Sequence, residues 1–165
     1  MQHAVFRVDN AAHLLHFGGR AFPCDREIVA ARPWQGHALL LSADTDCLSL
    51  WDADGLLRLT RVGVYPQDAA HDGDAIYVCG GADSRLHILS LPGLHELNWV
   101  LLPGMTERIA LHSGVAYVLT LLGSCSLLSE ELRELGGAFR RSMSGIAAAP
   151  NPEKFAYQLA SNEYS

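Results

Sequence analysis

The stretch PQDAAHDGDAIYVCGGADSRLHILSLPGLHEL, Pro66–Leu97, holds apolar segments of five to seven residues parted by turn residues. A small-residue segment, DAAHD, runs into Asp72-Gly73. An aromatic-valine segment, AIYVC, runs into Gly80-Gly81, and RLHILS runs into Pro92-Gly93. LHELNWV then follows from Leu94. Apolar and polar residues alternate with a period near two, the segments are too short for helices, and Gly, Pro and Asp punctuate them. That pattern predicts four strands, here termed a, b, c and d.

The pattern recurs on both sides. DCLSLWD closes on Asp52, RLHILS on Ser90 and GSCSLLS on Ser129, at spacings of 38 and 39 residues. Each is preceded by a second apolar run, ALLLS from Ala38, AIYVC from Ala75 and VAYVL from Val115. Before that lies a small-residue run, IVAARP from Ile28, DAAHDG from Asp68 and RIALHSG from Arg108. A d segment follows each c: LLRLTRV from Leu56, LHELNWV from Leu94 and ELRELGG from Glu131. A four-stranded unit of ~40 residues is the size of one β-propeller blade. The a strand lies nearest the axis, where neighbouring blades crowd and small side chains fit.

The ends complete the count. AVFRVDNAAHLLHF reads as two strands around Asp9-Asn10, a c–d pair with Val8 at the position of Trp51. GIAAAP from Gly145 and KFAYQLA from Lys154 read as an a–b pair. Together they make one further blade, about four in all, in a single domain spanning 1–165. The ring then closes within one chain, or between two chains as an eight-bladed homodimer. A third alternative is that the chain is a fragment of a longer propeller.

The units resemble the YVTN-type propeller repeats, relatives in architecture of WD-repeat propellers. Pro66–Leu97 carries the likeness: a proline-led small strand, Asp-Gly, an aromatic-valine strand, a glycine-polar turn and a leucine-rich strand ending in a turn. The third unit departs from it, with TLLGS in place of the glycine-polar turn. The resemblance implies a fold and leaves the activity open, because propellers host many functions.

Composition narrows the function classes. Apolar residues are 49% and charged residues 18% of the chain, which describes a folded globular protein. The net charge is −6 with no run of Lys or Arg, contrary to a nucleic-acid footprint or an anionic-membrane partner. The start MQHAVFRVDN has no basic and apolar leader pattern, and no run approaches the ~20 apolar residues of a membrane helix. Cys24, Cys47, Cys79 and Cys125 include no C-x-x-C pair, so they read as free thiols of a cytoplasmic protein.

Candidate chemistry is sparse. Cys79 and His87 fall on adjacent strands as potential cross-strand neighbours, but two ligands are too few for a metal, and the other units carry Ser or Leu there. His13-x-x-His16 lies on a strand, where i and i+3 point to opposite faces. Asp44, Asp46, Asp52 and Asp54 lack the closing Glu of a calcium loop. No nucleophile elbow, Walker loop or dinucleotide fingerprint occurs, and neither cofactor nor metal is implied. Trp34, in an a-to-b turn, reads as the most exposed tryptophan. His71 and His112 recur at the a-to-b turns and read as exposed groups.

One candidate is positional. Residues at the start of each a strand surround the channel mouth of a propeller: Arg26 and Glu27, Gln67 and Asp68, Glu107 and Arg108, then Ser144. Convergent charges in a concave mouth suit a small ligand or peptide, and they equally describe a rim of internal ion pairs. The sequence therefore supports a binding or scaffold module for a protein or small ligand. A lyase- or lactonase-type propeller enzyme acting at the mouth is the alternative.

Overall fold

A computed structural model of the chain describes residues 5–134. It is built of antiparallel sheets in which each strand pairs with its sequence neighbour. Blade 1 is β4 (Ile28–Trp34), β5 (His37–Ser42), β6 (Cys47–Asp52) and β7 (Gly55–Arg61), and blade 2 is β8 (Asp68–Asp72), β9 (Ala75–Cys79), β10 (Arg85–Ser90) and β11 (Glu96–Leu101). Blade 3 has β12 (Thr106–His112), β13 (Val115–Thr120) and β14 (Gly123–Leu128). The a, b, c, d order read from the repeat is the strand order of these sheets. The inner strands pack in turn, β4 against β8 and β8 against β12.

Alternation along the strands divides the core by blade interface. Tyr77, Cys79, Leu86 and Ile88 of blade 2 pack with Ile109, Ala116 and Val118 of blade 3. From the opposite face Ile76, Val78 and Leu89 pack with Leu39, Leu41, Leu48 and Leu50 of blade 1. Both faces of a blade are buried, so its b and c strands read as nearly continuous apolar runs.

The amino-terminal sheet holds one more strand than expected. It comprises β1 (Phe6–Asp9), β2 (Leu14–Phe17) and β3 (Arg20–Pro23), and packs on blade 1 through Leu15, Phe17, Leu40 and Trp51. Its c and d strands are β2 and β3, so Val8 lies on b instead of c. The glycine pair Gly18-Gly19, both at positive φ, makes the tight turn that separates β2 from β3.

Three other expectations change. The first four residues of the run ELRELGG, expected as a d strand, lie in the helix α1 (Ser129–Glu134), and the rest of that run is outside the described residues. SEELRE is rich in helix formers and has no β-branched residue. Leu132 is fully buried in the blade 2–blade 3 core, and Asn98 Nδ2 of β11 donates to its carbonyl at 2.8 Å. Trp34 is buried, because its indole N–H donates to Gly73 O of blade 2 at 2.8 Å. His71 is half-buried, its Nε2 donating to Pro33 O at 2.6 Å. The a–b pair read at 145–160, and Ser144, lie outside the described residues.

Gly80-Gly81 is where blade 1's exit docks. Val64 N donates to Gly80 O and Ala82 N to Val64 O. Any Cβ on Gly81, at φ +73, meets the carbonyl oxygen of Tyr65, and one on Gly63 comes within 2.5 Å of Gly80 O. The glycines admit a backbone-to-backbone approach that no side chain permits.

Candidate functional site

The d-to-a connections and the b-to-c turns meet on one face, the one on which the inner strands begin. All six residues read as the channel mouth belong to this face, and four of them form two groups, with Arg26 and Glu107 in neither. Asp68 and Arg108 come together at the axis. The Asp68 carboxylate, 5% exposed, accepts the N–H groups of Ala69 at 2.9 Å and Ile109 at 3.0 Å. Arg32 Nη2 pairs with its Oδ1 at 3.0 Å, and Arg108 Nε stands 3.8 Å from Oδ2. Burial pushes this carboxyl above the usual range, against the pull of the Ile109 N–H, Arg32, the Ala69 N–H and Arg108.

Arg32 escaped the sequence reading because it lies near the far end of β4. Its guanidinium reaches back, with Nε donating to Ala69 O at 2.9 Å. Thus one carboxylate ties the inner strands of three consecutive blades.

Glu27 and Gln67 meet instead at Tyr65, a second residue the sequence reading missed. The Tyr65 hydroxyl donates to Glu27 Oε2 at 3.0 Å, and Gln67 Nε2 donates to Tyr65 O at 2.8 Å. Asp46 Oδ1 accepts the Tyr65 N–H at 2.7 Å. Tyr65 has φ +57 and an exposed ring, with its hydroxyl held above the usual pKa by the bond to Glu27 and that carboxylate's charge. Arg26 is exposed, its N–H donating to Asp44 Oδ2 at 3.2 Å. Glu107 is half-buried at the bulge of β12.

Around these charges runs an apolar arc. Val64 and Tyr65 lie against the Gly81 turn, and Gly81 is bonded to Thr106 through Gly81 N to Thr106 Oγ1 at 2.9 Å and Thr106 N to Gly81 O at 3.2 Å. Beside Thr106, Met105 O accepts Leu121 N at 3.0 Å, and Leu122 lies over Gly104. Val64, Tyr65, Met105 and Leu121 are exposed, and Leu122 is 78% exposed. The signal for this was in the sequence, since TLLGS puts two leucines where the other units have a polar turn.

Cys79 and His87 are not neighbours. His87 pairs with Val78, and Cys79 with Leu86, so the two side chains point to opposite faces of the blade. Cys79 is fully buried and its thiol is raised well above the usual pKa by burial. His87, 7% exposed, lies between two carboxylates, with Nε2 2.6 Å from Asp83 Oδ2 and Nδ1 2.9 Å from Glu96 Oε1. Burial opposes protonation, but the bonds to Asp83 and Glu96 outweigh it and the pKa is raised. Both ring nitrogens are occupied by these bonds, so the cluster brackets the ring without converging on a common point. Among the described residues no group of three His, Cys, Asp or Glu side chains is placed to hold a metal, and no helix is long and apolar enough to cross a membrane.

No protein-family model matches the chain, and no curated protein matches it. Solved structures do. The crystal structure of BamB from Moraxella catarrhalis, a β-propeller protein, aligns with a TM-score of 0.58 at 10% identity, over 79% of this chain and 43% of that one. The glutaminyl cyclase of Myxococcus xanthus aligns at 0.47 and 13% identity, over 88% of this chain and 72% of that one. The chain therefore has the β-propeller fold, with sheets of three or four strands consistent with four blades. It spans less than half the length of the BamB structure.

Proposed function

We propose that this chain is a non-catalytic binding module that takes a segment of a partner protein on the face where its inner strands begin. The observation that carries the reading is the exposed apolar arc from Val64 and Tyr65 through Met105 to Leu121 and Leu122. Exposed apolar side chains brought together from separate loops mark interaction surfaces, and tyrosine is among the residues that dominate them. An enzymatic role at the mouth has less support, since Asp68 is buried and engaged by Arg32, Arg108 and two backbone amides. The same proposal takes the repeats to be of the YVTN type, on the pattern of Pro66–Leu97. Ring closure within one chain or between two is part of the same proposal, and sedimentation separates a compact 17.9 kDa monomer from a dimer.

Selection of a phage-displayed random peptide library on the purified chain tests the binding reading. Enriched peptides are expected to lose at least tenfold in affinity for Leu121→Ser/Leu122→Ser, and to keep it for Leu57→Ser on the outer strand β7. A library that yields no peptide with this dependence overturns the reading.

A further inference from the structure

The charges bordering the arc say what kind of segment it takes, an inference that rests on the binding reading above. Asp25, Glu27, Asp44, Asp46, Asp83 and Glu107 all belong to the loops and strand starts of this face, with Glu27 and Asp44 exposed and the others half-buried. Against them stand Arg26, Arg61, Arg85 and Arg108 among the described residues, Arg61 closing β7 on this face. Arg108 lies beside Asp68, and the Arg85 guanidinium is stacked 4.0 Å from the Trp99 ring centre. Acidic groups therefore predominate at the border, within a chain whose net charge is −6.

Several of these carboxylates are fixed by their structural duties. Asp44 accepts the N–H groups of Arg26 and Glu27 and is held below the usual carboxylate range, first by Ser42 and then by those amides. Asp46 accepts Tyr65 N, and Glu27 accepts the Tyr65 hydroxyl. The bonds order the groups and leave their negative charge in place, so the border presents a preorganised anionic field beside an apolar surface. An acidic partner or an anionic lipid surface is repelled by it. A lone acidic cluster attracts any cation, but an apolar arc beside it selects a ligand with both characters.

We infer that the face binds a protein segment in which apolar side chains, seated on Tyr65, Met105, Leu121 and Leu122, are flanked by Lys or Arg facing the carboxylates. The exposed Tyr65 ring, with its backbone at φ +57 and its hydroxyl tied to Glu27, is the anchor joining the apolar and anionic parts. Its strained backbone is held by Asp46 and Gln67 from either side, so the ring is placed before a ligand arrives.

Three synthetic peptides of one length test this, each alternating Leu and Phe with Lys, with Gln or with Glu, read by fluorescence anisotropy on the full chain. The Lys peptide is expected to bind best, to weaken as salt rises, and to weaken by roughly two- to fivefold for each of Glu27→Gln and Glu107→Gln. Equal binding of the Glu peptide, or a Lys peptide indifferent to Leu121→Ser/Leu122→Ser, overturns the inference. So does a salt-resistant homodimer that the same double variant dissolves, since the face is then covered by a second copy. Binding to zwitterionic vesicles lost in that variant also overturns it, in favour of lipid. If the library yields face-dependent peptides with no excess of Lys or Arg, this inference fails and the binding reading stands. If it yields none, both fail.

Discussion

The Asp68 carboxylate of β8 is bonded to Arg32 of β4 at 3.0 Å on one oxygen and to the backbone N–H of Ile109 in β12 at 3.0 Å on the other. Blades also meet through packed apolar faces and through bonds such as Trp34 Nε1 to Gly73 O, each confined to one interface. A directional bond at the axis fixes their mutual register, because it spans two interfaces at once. Burial raises the Asp68 pKa, and these partners oppose that rise.

Removing that carboxylate strands two cations and two amides. Asp68→Ala is expected to cost about 3 kcal/mol in urea unfolding, the low end for breaking a buried pair, because Arg32 and Arg108 keep access to water. Asp68→Asn, which keeps an acceptor for Ile109 N, is expected to cost less. Equal stability of the Ala variant and the wild type shows that the cluster does not hold the blades.

The glycines separate into two kinds. Gly81→Ala forces a Cβ onto the carbonyl oxygens of Tyr65 and Val64, and thermal unfolding is expected to report a loss of more than about 2 kcal/mol. Gly73→Ala, at φ +60 with open space around it, meets only the left-handed backbone penalty of about 1 kcal/mol. A Gly81 variant no worse than the Gly73 one means that the blade 1 exit does not dock on this turn.

His87 makes stability depend on pH. Its folded pKa is raised above the unfolded value of 6.5, so the native state binds the proton more tightly than the unfolded chain. The added stability is complete below 6.5 and is lost as pH rises through the raised folded value. Melting curves across that window are expected to show wild type losing stability relative to His87→Gln. At low pH that variant is the weaker by about 1–3 kcal/mol, since a neutral amide replaces the cationic donor held between Asp83 and Glu96. A difference between the two proteins that stays constant with pH removes the assignment.

The apolar arc is expected to contribute little to folding. Leu121 and Leu122 are exposed, so Leu121→Ser/Leu122→Ser should stay within about 0.5 kcal/mol of wild type in urea unfolding. A loss of several kcal/mol identifies these leucines as core, and the face as something other than a binding surface.

How far the fold could be read depended on repetition. DAAHD, AIYVC and RLHILS announced strands because their alternation recurred at 38 and 39 residues, and the recurrence separated pattern from accident. Where repetition ended, the reading slipped. Val8 took the spacing of a c strand by coincidence, since β3 is only four residues long and shortens the interval to β4. SEELRE occupied a d position by count while its residues favoured a helix.

The site divided along similar lines. The six mouth residues were located by their place in the repeat, which fixes the end of the blade at which a side chain lies. Which of them meet was decided by side-chain reach across blades: Arg32 turning back to Asp68, and Tyr65 holding Glu27 and Gln67. His87 shows the same limit, for strand register, and not proximity in sequence, put it opposite Val78 and away from Cys79.

By itself the sequence determined the strands of the repeating units, their order within each blade and the residues that belong to each end, because period-two burial and turn chemistry are local and repeat. Only the tertiary structure decided which charges neutralise one another and which apolar side chains stay in water. Those outcomes depend on distances between blades some 40 residues apart, which no single repeat encodes.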